Sequence, residues 1–146
     1  MTTETATTSP SPASGLNPFK PRVLHVAYFV DDIDRALAFY IGVLGMQEQM
    51  RIPLGEGKHE VILQFPNSKG AGVILMWNTR RAEPHAHGDA YSRIVLMVSD
   101  LDTAMAHVVK HGAPVVTPTT VAGPMKYAMV KDPDGYVIEL LELQRA

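Results

Sequence analysis

The sequence predicts an α+β fold made of two copies of one βαβββ unit. Residues 25–38 align without a gap on residues 93–106, and the aligned pairs include aspartate on aspartate and alanine on alanine. Residues 73–76 align in the same way on residues 137–140, so the two copies also match at their ends. Such a repeat indicates two supersecondary units that bury a shared core.

The repeat also pairs residues of different chemistry. It sets His25 opposite Arg93, and it sets Leu75 opposite Glu139. All four residues lie on predicted strands, where a side chain projects to one face of the sheet. These positions are therefore the first candidates for a functional site.

The first unit, residues 22–79, begins with a strand over residues 24–30, which are rich in β-branched and aromatic side chains. Asp31 or Asp32 is suited to cap the following helix, because a side-chain oxygen there accepts an unpaired backbone N–H. Gly45 is predicted to end that helix. The helix is predicted from apolar residues at helical spacing: Ile33, Leu37, Tyr40, Ile41 and Leu44. Three strands follow, separated by breaks rich in proline and glycine: residues 47–52, 60–65 and 73–77.

The second unit, residues 91–143, repeats this order after a linker over residues 80–90. Residues 132–135 are Asp-Pro-Asp-Gly and predict a tight turn, because proline presets φ and glycine accepts a positive φ. Gly112 is predicted to end the second helix. The predicted elements are a strand over 93–98, a helix over 100–111, and strands over 115–116, 126–131 and 136–142.

Composition excludes several classes of protein. The net charge of -2 gives no electrostatic reason to expect nucleic acid or an anionic membrane surface as a partner. No apolar run approaches the roughly 18 residues of a membrane span. The chain has no cysteine, which excludes thiol catalysis and thiolate metal sites and suits a cytoplasmic protein. Residues 1–20, rich in Thr, Ser, Pro and Ala, are predicted to be a disordered tail, and residues 21–146 a single domain.

Three motifs make the chain resemble the vicinal oxygen chelate (VOC) superfamily of glyoxalases, bleomycin-resistance proteins and extradiol dioxygenases, and glyoxalase I most closely. They are Phe39-Tyr40 through Val43-Leu44-Gly45-Met46, Gly88-Asp89-Ala90-Tyr91, and Lys131-Asp132-Pro133-Asp134-Gly135-Tyr136-Val137-Ile138-Glu139-Leu140. The resemblance covers about residues 22–143. It implies a cupped eight-stranded sheet with helices outside, and a homodimer in which each cup lies between modules of different subunits.

The resemblance also implies one divalent metal ion (Ni, Zn, Fe or Mn) in the cup, held at the positions of His25, Leu75, Arg93 and Glu139. In glyoxalase I these positions carry His or Gln, Glu, His and Glu, so His25 and Glu139 match. Leu75 has no donor atom, and the cationic Arg93 cannot coordinate a metal. Two expectations follow. Either His25 and Glu139 keep a degenerate metal site, or no metal binds and Arg93 fills the position in a bidentate ion pair with Glu139.

Further side chains are candidates to complete a metal site. Glu60, on the third strand, is the candidate to replace Leu75, and the alternative is an exposed strand carboxylate. His85 and His87 form a His-x-His pair in the linker, either as ligands carried by a lid or as part of a solvated loop. Two histidines of the second helix are expected at the protein surface: His107 and His111.

Five residues are expected to bind substrate: Phe29, Trp77, Arg51, Met125 and Tyr127. An apolar cup with a few polar groups is the usual small-molecule pocket, and the alternative for each aromatic residue or methionine is core packing. Glyoxalase I carries a basic residue after Phe-Tyr that contacts the carboxylate of glutathione. Here Ile41-Gly42 follow Phe39-Tyr40, which argues against glutathione as cosubstrate.

Two functions fit these residues. The first is a glyoxalase-like lyase or isomerase that acts on a small oxygenated molecule through an enediolate. A bound metal would act as Lewis acid while Glu139, or a carboxylate such as Glu60, moves the proton. Without a metal, Arg93 would stabilise the enolate and Glu139 or His25 would act as base. The alternative is a metal-free small-molecule binding protein of the bleomycin-resistance type, and a third possibility is a cup with no retained chemistry.

Overall fold

The computed structural model describes residues 18–145, so residues 1–17 of the predicted tail, and residue 146, lie outside the described part of the chain. The order of elements is βαβββ twice, and the predicted α+β class is confirmed. The elements are β1 (His25–Phe29), α1 (Ile33–Tyr40), β2 (Gln47–Gly55), β3 (Lys58–Gln64), β4 (Gly72–Asn78), β5 (Ile94–Met97), α2 (Leu101–Lys110), β6 (Val115–Ala122), β7 (Met125–Lys131) and β8 (Val137–Leu143).

The strands form two four-stranded sheets of the same topology. Sheet A has the order β1-β4-β3-β2, and sheet B has the order β5-β8-β7-β6. In each sheet the first strand is parallel to its neighbour, and the remaining pairs are antiparallel. A parallel pair needs a crossover connection, which the helix and the two intervening strands of each unit supply.

An aspartate caps each helix: Asp32, one of the two predicted candidates, caps the first, and Asp100, predicted to be the first residue of the second helix, caps it instead. The Asp32 side chain accepts a hydrogen bond from the Arg35 N–H at 3.0 Å, and the Asp100 side chain accepts one from the Thr103 N–H at 3.0 Å. These bonds satisfy backbone groups that the helix itself leaves unpaired. Neither helix in the described residues has the length and apolar character that crossing a membrane demands.

The first helix is shorter than predicted. It ends at Tyr40, and the chain continues in turns to Leu44. The Leu44 N–H donates to the Phe39 carbonyl at 2.9 Å, five residues back, so regular α-helical bonding stops there. Gly45 follows with φ of 81°, a left-handed conformation that glycine adopts without strain.

Each sheet has a helix face, which packs on its own helix, and an open face on the opposite side. Leu75 of β4 and Leu140 of β8 are 0% and 2% exposed on the two helix faces. Side chains alternate between the two faces along a strand, so the neighbours of these buried residues project from the open faces. The cup that the family resemblance implies is therefore expected on the open faces. The other fully buried strand residues of the helix faces are Val61, Leu63, Ala128, Val130 and Ile138.

Candidate active site

Strand register identifies Ile74, not Leu75, as the counterpart of Glu139. In sheet A, Ala27 of β1 lies opposite Ile74. In sheet B, Val95 of β5 lies opposite Glu139. Ala27 and Val95 are equivalent in the gap-free part of the repeat, so Ile74 and Glu139 hold equivalent places on the two open faces. The predicted pairing of Leu75 with Glu139 is therefore wrong by one residue, and Leu75 belongs to the core.

Arg93 and Glu139 form an ion pair on the open face of sheet B. The Arg93 Nε–H donates to Glu139 Oε2, and Arg93 Nη1 donates to Ser92 Oγ at 3.1 Å. Glu139 is only 7% exposed, so its carboxylate depends on this partner. The contact runs through Nε alone rather than in the predicted bidentate geometry. It leaves the outer edge of the guanidinium accessible, and the Arg93 side chain is 41% exposed.

His25 lies on the open face of sheet A, beside Gly72 of the neighbouring strand. A Cβ added at Gly72 would stand 2.9 Å from His25 Cδ2, so the glycine makes room for the imidazole. The Nε2 atom of His25 is buried and has no hydrogen-bond partner among residues 18–145. Buried polar atoms are normally hydrogen-bonded, so this nitrogen has unused hydrogen-bonding capacity.

Glu60 does not lie beside His25. It pairs with Met76, which pairs in turn with Phe29, four residues from His25 along β1. At the usual rise of a strand this offset is about 13 Å along the sheet. Glu60 shares the open face, as the alternation predicted, but the register argues against it as a fellow ligand of His25.

The donor set does not fit the four-ligand metal site that the resemblance implies. His25 and Glu139 supply two donors, whereas Ile74 is apolar and Arg93 is a cation bonded to Glu139. In the part of the chain that the structure describes, no three side chains of His, Asp or Glu gather as a metal site would require. A mechanism at this site must therefore rely on the charges and the acid–base groups of these residues themselves.

Trp77 and Arg51 lie on the helix face of sheet A. Trp77 pairs with His59, and their rings stack with centroids 5.1 Å apart. The Arg51 guanidinium lies 5.8 Å from the Trp77 ring and makes two hydrogen bonds to Glu48 at 2.8 and 2.9 Å. These bonds hold the pKa of the Glu48 carboxyl below its usual range. The expectation that Trp77 lines the cup is wrong, because Trp77 lies two residues after Leu75 on β4 and therefore shares its helix face. Arg51 lies on the same face, so it does not line the cup either.

The open faces carry the other predicted binding residues. Met125 and Tyr127 belong to β7, in alternation with Met129, which lies opposite Glu139. Phe29 alternates with Ala27 and His25 on β1 of sheet A. Met125 and Tyr127 therefore share the open face of sheet B with the ion pair, and Phe29 shares the open face of sheet A with His25.

The linker contacts the end of β1, which sequence reasoning did not anticipate. The His85 N–H donates to Asp31 Oδ1 at 2.8 Å, and His85 Nδ1 lies 2.7 Å from the same oxygen. Burial alone would raise the pKa of Asp31, but the hydrogen bonds from His85 outweigh it and lower the pKa. The His85 ring stacks on Phe29 with centroids 4.9 Å apart. His85 is therefore neither a free loop residue nor placed with the other candidate ligands.

A buried hydrogen-bond cluster joins the two units. The Tyr40 O–H of α1 donates to Asp132 Oδ2 at 2.6 Å, and the Tyr136 N–H donates to Asp132 Oδ1 at 2.8 Å. The Tyr136 O–H donates to the Phe29 carbonyl at 2.6 Å. Burial raises the pKa of Asp132 above its usual range, although the bond from Tyr40 acts in the opposite direction. The sequence motif 132–135 was the available signal, and it indicated only a turn.

Apolar cavities lie between the two units. One of about 130 Å³ is lined by residues of both units, including Val26, Phe65 and Ile94. Another of about 200 Å³ adjoins it at Leu44, Phe65 and Leu96. Neither is lined by His25, Arg93 or Glu139. The two histidines of α2 are exposed, as predicted: His107 and His111.

The chain is similar to named enzymes in sequence. It is 35% identical over 132 residues to the lactoylglutathione lyase of Salmonella typhimurium, covering 86% of this chain and 95% of that protein. It is 33% identical over 127 residues to the lactoylglutathione lyase of Haemophilus influenzae, covering 83% of this chain and 92% of that protein.

Solved structures show the same architecture. The trypanothione-dependent glyoxalase I of Leishmania major superposes with a TM-score of 0.73 at 32% identity, over 84% of this chain and 86% of that one. TnmS3, an antibiotic binding protein from Streptomyces sp. CB03234, superposes with a TM-score of 0.68 at 22% identity, over 85% and 97% of the two chains, and so shares the fold. Residues 22–140 match the Glyoxalase/Bleomycin resistance protein/Dioxygenase superfamily, and the chain belongs to this family.

Proposed function

We propose that this protein is a glyoxalase-like lyase or isomerase that moves a proton within a small oxygenated molecule through an enediolate. One observation carries the proposal: the open face of sheet B holds the buried carboxylate of Glu139 against the accessible cation of Arg93. A base beside a cation is what enediolate chemistry requires. The lactoylglutathione lyases among its relatives support the same class of reaction.

The charges of the ion pair change in step with the reaction. In the free protein the negative Glu139 compensates the positive Arg93. When Glu139 takes a proton from a carbon of the substrate, its charge is lost, and the substrate oxygen becomes negative at the same moment. Arg93 then faces the enediolate with its charge uncompensated, so the attraction is strongest near the transition state. Return of the proton to the neighbouring carbon completes an isomerisation that needs no oxidant or reductant.

His25 is the proposed second polar contact of the substrate. Its buried Nε2 has no partner among the described residues, so a substrate hydroxyl that reached it would satisfy this atom. His25 lies on sheet A and the ion pair on sheet B, and we propose a homodimer that sets sheet A of one protomer opposite sheet B of its partner. Light scattering after size-exclusion chromatography tests this assembly. A cytoplasmic location stays a prediction.

Proton exchange with solvent tests the proposed reaction directly. Chelator-treated protein is incubated in D₂O with α-hydroxycarbonyl compounds and with hemithioacetals of methylglyoxal and several thiols, and NMR follows loss of the C–H signal. We expect exchange that Glu139→Gln lowers about 100-fold or more, since it removes the base. Absence of exchange across the panel, or unchanged exchange in Glu139→Gln, contradicts the proposal.

The second candidate is a metal-free binding protein. The observation in its favour is the apolar open face of β4 in sheet A, where Ile74 holds the place equivalent to Glu139 and Met76 follows it on the same face. A protein that only sequesters a ligand needs such a surface and no base. Tight ligand binding without any solvent exchange at carbon would favour this candidate.

A further inference from the structure

The accessible cation of Arg93 has a neighbour of the same charge. Arg93 precedes Ile94, which pairs with Ile138, so Arg93 lies level with Val137. Val137 in turn pairs with Lys131 on its other side. Two strand spacings, about 10 Å, separate the two basic residues across the sheet. Their side chains are long enough to approach one ligand group from both sides.

Lys131 adds a positive charge that has no ion-pair partner among the described residues. It lies on the open face, because it alternates with Met129, the partner of Glu139. It is exposed, and none of the ion pairs within residues 18–145 involves it. The ion pair of Arg93 and Glu139 is neutral as a unit, so this end of the face carries one net positive charge. That balance favours a monoanion.

The rest of the same face is apolar and unusually exposed. Along β5, Val95 and Met97 are 48% and 70% exposed, and Leu143 at the end of β8 is 51% exposed. Met125 beside it is 41% exposed. Side chains of this kind gain free energy when an apolar body covers them. Methionine also adapts its shape to different ligands.

We infer that the open face of sheet B binds a small amphiphilic carboxylate, with the head group between Arg93 and Lys131 and the apolar body along β5 and β8 towards Val95 and Met97. The carboxylate meets the outer edge of the Arg93 guanidinium, which the contact through Nε leaves accessible. This inference rests on the proposed function for the choice of site, and it names the substrate class as an apolar monoanion.

Octanoate is the probe, because it has the proposed head and tail and no carbon that the proposed reaction would act on. Isothermal titration calorimetry compares it with octanol, which lacks the charge, and with hexanoate, which is two methylenes shorter. We expect octanoate to bind and octanol to bind at least about tenfold more weakly, as befits a lost charged hydrogen bond. Hexanoate should bind about 15-fold more weakly where both methylenes are buried.

Variants locate the head group. Arg93→Gln and Lys131→Gln should each weaken octanoate binding roughly tenfold, whereas Arg93→Lys, which keeps the charge, should weaken it less. Lys110→Gln on α2 is the matched control for loss of one surface charge and should change nothing. Thermal melting checks that each variant is folded.

The outcomes separate the inference from the proposed function. Octanoate binding with these effects supports the inference even where no substrate exchanges protons with solvent. The inference is overturned if octanoate and octanol bind equally, or if Arg93→Gln and Lys131→Gln keep full affinity for octanoate. It is also overturned if octanoate does not bind because the second copy of a dimer covers the open face of sheet B. Proton exchange without octanoate binding would leave the proposed function standing alone.

Discussion

Ile74 in sheet A occupies the place that Glu139 occupies in sheet B. Each lies one strand in from the parallel edge strand, opposite Ala27 and Val95 respectively. The two halves of the repeat are therefore similar in backbone and opposite in chemistry at this point. Sheet A offers an apolar side chain near His25, whose Nε2 has no partner within residues 18–145, and sheet B offers an ion pair. The proposed reaction depends on this asymmetry, because Glu139 lies beside Arg93 on sheet B, whereas the equivalent place on sheet A is apolar.

The role of Arg93 predicts different outcomes for two substitutions. Arg93→Gln should lower kcat/KM for solvent proton exchange roughly 100-fold, in the range for loss of one group that stabilises an oxyanion. Arg93→Lys should retain more of the rate, because it keeps the charge but not the planar edge. Arg51→Gln, on the helix face, should alter the rate less than about twofold. An equal loss in Arg51→Gln and Arg93→Gln would mean that the assignment of faces is wrong.

The register predicts which substitutions would create a metal site. If the superfamily arrangement applies, Ile74→Glu together with Arg93→His restores four donors, and the double variant should bind about one Ni²⁺ or Zn²⁺ per chain. Met76→Glu with Arg93→His is the matched control, because it places the same charge on the same face about 6.6 Å further along the strand. Metal content after dialysis measures both. Binding by the control and not by the Ile74 variant would contradict the register argument.

Much of the fold was predictable because local signals agreed. Apolar periodicity located the first helix and the repeat located the second, Asp32 capped the first helix, and the turn at 132–135 formed as expected. The register was not predictable, because both β4 and β8 contain the dipeptide Val-Ile and the repeat was aligned on it. In the folded chain Ile74, rather than Leu75, matches Glu139, so the dipeptides are offset by one residue.

Contacts between segments far apart in the chain also could not be predicted from the sequence. Trp77 was expected to line the cup, but it lies on the same face as the buried Leu75, two residues before it on β4. The bonds of Asp132 to Tyr40 and of His85 to Asp31 join segments far apart in the chain. No periodicity encodes such contacts, because they depend on how the two units pack.

The Tyr40–Asp132 bond predicts a stability loss that depends on pH. Burial raises the pKa of Asp132 in the folded protein above its unfolded value, so protonation of Asp132 stabilises the fold. This contribution to stability is fully present below the unfolded pKa and is lost as pH rises through the folded pKa. Tyr40→Phe leaves Oδ2 without its donor and should raise the folded pKa further. We expect a cost of roughly 1–3 kcal/mol in the free energy of unfolding at pH 7 and a smaller cost at pH 4.

Urea unfolding of wild type and variants at both pH values measures this difference. Tyr91→Phe is the matched control, because the Tyr91 O–H donates to the neutral carbonyl of Val137 at 2.9 Å. Its cost should hardly change between pH 4 and pH 7. A cost of Tyr40→Phe that is equally independent of pH would show that the charge of Asp132 does not depend on Tyr40.

The His85–Asp31 contact predicts that the linker loosens in acid. The His85 bonds outweigh burial and lower the pKa of Asp31, so their stabilising effect is present above the unfolded pKa and is lost as pH falls through the lowered folded value. Hydrogen exchange of peptides covering residues 80–90 should therefore show protection, corrected for intrinsic rates, that falls in this acidic range. Asp31→Asn should reduce the protection at neutral pH and remove its pH dependence, because the amide cannot ionise.

His87→Ala is the matched control, since His87 stacks on Tyr136 without engaging Asp31, and it should preserve the pH dependence. Protection that is the same in wild type and Asp31→Asn at every pH would mean that the carboxylate does not hold the linker on β1.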